Sequence, residues 1–175
     1  MSWLRLSIGS SYSVSRVTFN TALGRVDVTA SAKGLLALTL NRLSPPKAKQ
    51  QPPHQYTNLI QRLQAYFNGN KVTFLDDKLD LSAATPFQLK VWEITRLIPY
   101  GETRSYHWVA EQIGQPAAAR AVGQALARNP LPVIIPCHRV VASDGKLGGY
   151  SGGLEIKRSL IHLERITIPA PNPPS

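Results

Sequence analysis

A single cysteine stands in 175 residues, inside the run Pro136-Cys137-His138-Arg139-Val140. One thiol forms no intrachain disulfide and supplies no second sulfur to a zinc site, so it is either buried apolar filler or a nucleophile. The neighbours favour the nucleophile. An imidazole follows at once, a guanidinium comes next, and Pro132 and Pro136 hold the approach in an extended path. A free cysteine has a pKa of about 8.5, so only a small fraction is thiolate at neutral pH and a base must help. His138 is adjacent, yet side chains adjacent in sequence point in different directions; a bridging water or a local turn would let it take the proton. Glu164 is the group best placed to orient that imidazole. It lies four residues after Leu160 and three after Ile161, on the apolar face of a helix expected from Leu154 to about Arg165. A carboxylate there needs a partner, and the residues alone leave His138 and an arginine equally open.

The elements that must hold these groups divide near residue 80. Residues 15–40 alternate apolar and polar positions and break at Gly24 and Gly34, which predicts two or three antiparallel strands. Ser44 to Gln55 holds four prolines and reads as a loop. Tyr56 to Phe67 has helical spacing with a stop at Gly69, and Lys71 to Leu75 can add a strand. This half, residues 1–80, shows no constellation of chemistry and reads as an α/β scaffold domain. Residues 81–168 read as a helical domain. Thr85 caps a helix with Pro86 at its first position, and the helix ends before Pro99. Ser105 caps a second helix to Gln112, Gly114 turns the chain, and Pro116 opens a third that reaches about Arg128. Two helices joined by a glycine turn in a basic chain suggest a helix-turn-helix. The stretch from Pro116 to Ala125 is almost bare of bulky side chains, with one arginine in its midst, so it could enter a groove of about 6 Å with Arg120 reaching between base pairs. Alanine also simply favours close-packed helix. Residues 169–175 are too proline-rich to fold and read as a frayed tail.

Composition narrows the partners. Net charge is +10, from 20 Lys and Arg against 10 Asp and Glu, which favours polyanions, although the basic residues are scattered. Hydrophobic residues make up 43%, enough for a core, and no stretch approaches the roughly 20 apolar residues of a membrane span. The first residues lack the apolar run of a secretory signal, and one free thiol suits a reducing compartment, so a cytoplasmic (or, in a eukaryote, nuclear) location is expected.

The run Pro136 to Val140, with Ala118-Ala119-Arg120-Ala121-Val122-Gly123, Asn129-Pro130 and Gly148-Gly149-Tyr150-Ser151-Gly152-Gly153, resembles the motifs of the O6-alkylguanine-DNA alkyltransferases. The resemblance spans roughly residues 86–165. It implies an α/β (α+β) fold, with a ribonuclease-H-like first domain and a helix-turn-helix in the second. It implies a relay from Cys137 through water to His138 and Glu164. Arg120 would occupy the space of a flipped nucleotide, Ala118 and Ala119 would lie in the minor groove, and Tyr106 would press on the target phosphate. Asn129 would join the DNA-reading helix to the active-site strand. Tyr150 would protonate or hydrogen-bond the leaving guanine, Ser151 would contact its O6 side, Gly148 would belong to the pocket stretch, and the carbonyls of Cys137 and Val140 would read the exocyclic amine. Flipping is a physical need as well, because O6 of guanine is inside the duplex.

The expected activity is therefore single-turnover transfer of an alkyl group from O6-alkylguanine in double-stranded DNA to Cys137. The lesion is the donor, so no cofactor and no metal are expected; the N-terminal zinc ligands of some relatives are missing here. A monomer is expected, with cooperativity on DNA, the range of alkyl groups and action on O4-alkylthymine left open. Two other readings compete: a lesion-binding alkyltransferase-like protein without transfer, against which Cys137 argues, and a Cys137–His138–Glu164 hydrolase, which leaves Arg120 unexplained.

Overall fold

The computed structural model describes residues 6–8, 12–42 and 54–167. Strands β1 (Leu6–Ile8), β2 (Tyr12–Thr21), β3 (Gly24–Ser31) and β4 (Gly34–Asn41) form an antiparallel sheet in chain order. The turns fall where the glycines predicted them. Val17 pairs with Val28, and Val28 with Leu38, so alternate side chains form one buried face. Gly34, at φ +148°, is needed for a close approach: a Cβ there would collide with the Lys78 carbonyl. Helix α1 (Thr57–Phe67) covers the core with Leu59, Ile60, Leu63, Tyr66 and Phe67 and stops at Asn68, just before Gly69.

Residues 71–75 form no strand. Their carbonyls are taken by guanidinium groups instead of a ladder: Arg62 donates to Thr73 O, and Arg96 to Phe74 O and Leu75 O. The loop expected over residues 44–55 lies mostly outside the described residues, as does the tail 169–175.

Helix α2 (Pro86–Arg96) begins with a full capping box, Thr85 Oγ1 accepting from Gln88 N–H and Gln88 Oε1 accepting from Thr85 N–H. Ser105 caps α3 (Tyr106–Gln112), accepting from Trp108 N–H at 2.9 Å, and Gly114 turns the chain at φ +74°. The next helix, α4 (Ala119–Ala127), starts three residues later than Pro116 suggested. Ala118 N–H bonds back to Gln115 O and closes a turn first, so residues 116 and 117 stay outside the helix. The proline-bracketed approach to the cysteine is a turn and not an extended path. Ile135 N–H bonds Leu131 O, Val133 sits at φ +76°, and Cys137–Arg139 form one 3₁₀ turn. Two short parallel strands, β5 (Arg104–Ser105) and β6 (Val140–Val141), tie the start of α3 to the end of that turn. Helix α5 (Leu154–Thr167) closes the described chain.

One buried cluster includes Val17 and Leu38 of the sheet, Tyr66 of α1, Trp92 of α2, Val122 of α4, Cys137 and Leu160 of α5. Trp92 Nε1–H donates to Ala125 O at 2.9 Å, and Leu38 N–H of β4 donates to Pro130 O at 2.8 Å. The architecture is mixed α/β, and the sheet is hydrogen-bonded directly to the segment leading to the cysteine.

Candidate active site

Cys137 opens the 3₁₀ turn and is 4% exposed. Burial pushes its thiol above its ordinary value, and hydrogen bonds from Asn129 and Tyr150 and the charge of Lys157 offset part of that rise. The turn carries His138 straight into the interior, where it is fully buried. Its Nε2 lies 2.6 Å from Glu164 Oε1. An ionised carboxylate brings no proton to that bond, so Nε2 carries it and Nδ1 keeps a free lone pair. Nδ1 is buried and has no hydrogen-bond partner among the described residues, which leaves it available to receive a proton.

Glu164 has both of the partners that its helical face left open. Besides His138, Arg139 donates from Nε to Oε2 at 3.0 Å and to Oε1 at 3.2 Å, and from Nη2 to Oε1 at 3.0 Å. Gly101 N–H donates to Oε2 at 3.0 Å. Burial alone would raise the carboxyl pKa, but His138 and Arg139 outweigh it and hold the group well below its ordinary value. Burial also lowers the His138 pKa, against the pull of Glu164. The resting site is therefore a neutral thiol, a neutral imidazole and a carboxylate balanced by Arg139.

Above the thiol lies a cavity of about 710 Å³ whose lining includes Tyr106, Ala119, Arg120, Cys137, Tyr150 and Ser151. Arg120 is exposed near the start of α4. The structure thus brings together residues from four separate stretches of sequence. Asn129 is buried beside the turn; its Nδ2–H donates to Ile135 O at 2.8 Å and its Oδ1 accepts from Leu131 N–H at 2.9 Å. It links the end of α4 to the cysteine turn, where the resemblance implied a strand. Ala118 and Gly148 do not line the cavity. Ala118 is the cap of α4, and Gly148 is the seat of Tyr106: a Cβ there would stand 2.5 Å from the phenol oxygen. Val140 is buried, and its carbonyl accepts from Lys157 Nζ at 2.7 Å. Among the described residues no group of three or more His, Cys, Asp or Glu side chains could hold a metal ion.

The model of the family described as 6-O-methylguanine DNA methyltransferase, DNA binding domain, matches residues 86–166. The methylated-DNA–protein-cysteine methyltransferase of Mycobacterium tuberculosis strain H37Rv is 50% identical over 118 residues, covering 67% of this chain and 70% of that one. The chain belongs to the methylated-DNA–protein-cysteine methyltransferase family. The crystal structure of M. tuberculosis O6-methylguanine methyltransferase aligns with a TM-score of 0.75 at 40% identity, over 90% of this chain and 96% of that one. M. tuberculosis OGT in complex with DNA aligns at 0.74 and 41% identity, over 87% and 94%.

Three residues of this methyltransferase site escaped the sequence reading. Arg139 was visible only as a neighbour of the cysteine. Lys157 shares the buried stripe of α5 with Leu160 and Glu164, the same spacing that singled out Glu164. Fully buried, it donates to Val140 O, to Gly149 O at 3.2 Å and to Tyr106 Oη at 3.3 Å; burial lowers its pKa to about 8, against the influence of Cys137. Tyr106, whose pKa burial and then Cys137 raise, donates onward to Gly149 O at 3.3 Å. Tyr66 comes from the half that showed no chemistry, and its hydroxyl donates to Glu164 Oε1 at 2.7 Å. Its only signal was a hydroxyl on the apolar stripe of α1.

Proposed function

We propose that this methyltransferase removes the alkyl group from O6-alkylguanine in double-stranded DNA and keeps it on Cys137, once per molecule. The observation that carries the reading is Cys137 at the floor of a cavity, backed by an imidazole whose Nδ1 is free and whose Nε2 is committed to Glu164. The thiol proton passes to His138 Nδ1 through a water, and Glu164 stabilises the imidazolium. The thiolate attacks the alkyl carbon; the S–C bond forms as the C–O6 bond breaks. The electron pair leaves on guanine, which Tyr150 hydrogen-bonds or protonates, and the proton taken up by His138 makes good that loss, so that the thiol proton ends on the departing base. Burial favours the neutral forms of both Cys137 and His138, so the thiol proton must be moved before attack.

Access requires the base to leave the stack. Arg120, at the cavity edge on a helix of small residues that includes Ala119, is suited to enter the minor groove and fill the space left behind. Tyr106 faces the phosphate of the extruded nucleotide, Ser151 the O6 side, and the carbonyls of Cys137 and Val140 the exocyclic amine. In this reading residues 81–168 bind and repair DNA, residues 1–80 support them, and the protein works as a monomer in the cytoplasm or on the chromosome.

Duplex DNA carrying O6-methylguanine tests the proposal. Intact-protein and peptide mass spectrometry should find one methyl group per molecule, on Cys137. Cys137→Ala should retain lesion DNA in a binding assay and take up nothing. Transfer persisting in that variant would end the assignment, and binding without transfer by the wild type would make the protein a lesion binder only.

A further inference from the structure

On the reading that Cys137 is the alkyl acceptor, we infer that Tyr66 is a positioning residue for the reaction, holding the Glu164 carboxylate against His138 from the N-terminal half of the chain. Arg139 and His138 compete for that carboxylate. Arg139 offers three N–H···O contacts, reaching both oxygens, and a guanidinium is satisfied best by a carboxylate turned squarely into its fork. His138 offers one N–H, to Oε1. Each oxygen also has a donor outside this contest: Tyr66 on Oε1 at 2.7 Å and Gly101 N–H on Oε2 at 3.0 Å. Tyr66 Oη, His138 Nε2 and Glu164 Oε1 form a closed triangle, with 3.3 Å between the hydroxyl and the imidazole.

The Tyr66 ring is fixed where it is. It is fully buried and meets Phe67, Phe74 and Tyr100 edge-on at centroid distances of 5.3, 6.3 and 6.0 Å. Burial and the Glu164 charge raise the phenol pKa far above neutrality, so the hydroxyl remains a donor. Its proton is committed to Oε1. The proton between His138 and Glu164 therefore stays on Nε2, and Nδ1 keeps its lone pair. Without the hydroxyl the carboxylate can pivot onto Arg139, and the imidazolium loses support. The groups that bear on His138 are Glu164 and Lys157 of α5, Arg139 of its own turn and Tyr66 of α1. Of these, Tyr66 can be stripped of its contact by removing one oxygen.

Tyr66→Phe keeps the ring and deletes that oxygen. The rate of methyl uptake from an O6-methylguanine duplex, followed by mass spectrometry, should fall about tenfold near neutral pH, the scale of one hydrogen bond to a charged group. The limb of its pH–rate profile on which His138 loses its proton to become the base should move to lower pH, because an imidazolium with less support is the stronger acid. In ¹⁵N spectra of histidine-labelled protein, His138 should show the Nε2–H tautomer in the wild type and a mixture in the variant. Tyr66→Phe combined with Glu164→Gln should react no slower than Glu164→Gln alone. Ile60→Val, which thins the core of the same helix without reaching Glu164, should keep the wild-type profile and tautomer. An unchanged profile and tautomer in Tyr66→Phe, additive losses in the double variant, or the same shift in Ile60→Val would each overturn the inference. A wild type that takes up no methyl group sinks the functional reading instead, and the ¹⁵N spectra still decide the positioning role.

Discussion

Glu164→Gln is the most informative single change, because it alters charge and leaves shape nearly intact. The carboxylate accepts from four groups: Tyr66, His138, Arg139 and Gly101. An amide accepts with one atom and donates with the other. If the oxygen stays with Arg139, the NH₂ faces His138 and demands a lone pair on Nε2. The proton then moves to Nδ1, the atom that must receive the thiol proton. Arg139 is meanwhile left as a buried cation without a counter-charge. Breaking a buried pair in this way costs about 3–5 kcal/mol. For a chain of this size about 1 kcal/mol moves Tm by roughly 2–4 °C, so Tm should fall by about 6–20 °C. General-base assistance is worth roughly 10²–10⁴ in rate, so methyl transfer near neutral pH should drop at least about a hundredfold. The loss should shrink at alkaline pH, where the thiol ionises without help. Circular dichroism melts and single-turnover transfer across pH, measured on the same samples below the variant's Tm, separate the two effects. Unchanged Tm with an unchanged pH–rate profile would remove Glu164 from the mechanism.

Arg120→Ala should slow repair of duplex DNA far more than reaction with free O6-alkylguanine base, which needs no flipping; equal slowing would make it a packing residue. Duplex affinity should fall with salt at a log–log slope of about −0.9 per phosphate neutralised, and a flat response would count against DNA binding. Gly148→Ala forces a side chain onto φ +69° and into Tyr106, so it should cost about 1–3 kcal/mol in urea denaturation and slow transfer; a variant of wild-type stability and rate would contradict the seating of Tyr106. Acid should destabilise the fold in two stages. Burial holds folded His138 below 6.5, so its contribution is present above that pH and lost as the unfolded chain takes up the proton first. Glu164, held below 4.5 by His138 and Arg139 in spite of burial, adds a second loss beneath that value. Urea midpoints that stay level from about pH 8 to about pH 5 would contradict the His138 shift, and a level response from there to about pH 2 would contradict that of Glu164.

Local sequence determined what local physics can determine. Alternation broken at Gly24 and Gly34 predicted two or three strands, and three form there, because side-chain period and backbone freedom act over a few residues. Thr85-Pro86 and Ser105 set two helix starts through their own side chains. Ala118 has no capping oxygen, and the start of α4 was correspondingly misplaced at Pro116. The solitary Cys137 beside His138 announced a nucleophile and its base, and the stripe around Leu160 announced a buried carboxylate.

Tertiary structure decided what those groups do to one another. The guanidinium groups of Arg62 and Arg96 claimed the carbonyls of residues 73–75, so a segment with strand composition became a loop. The 3₁₀ turn at Cys137 sends thiol and imidazole to different surroundings, one toward the cavity and one into the core. Glu164 could choose His138 or an arginine on paper; in the fold it holds both, because consecutive residues of one turn reach the same carboxylate. Lys157 and Tyr66 were marked only as polar groups on apolar helical stripes, which says nothing of the partners they find. Tyr66 is 98 residues from Glu164 along the chain, and only the shared buried core places its hydroxyl on that carboxylate. Hydrogen bonds between such distant positions depend on the whole core, and no short window of sequence encodes them.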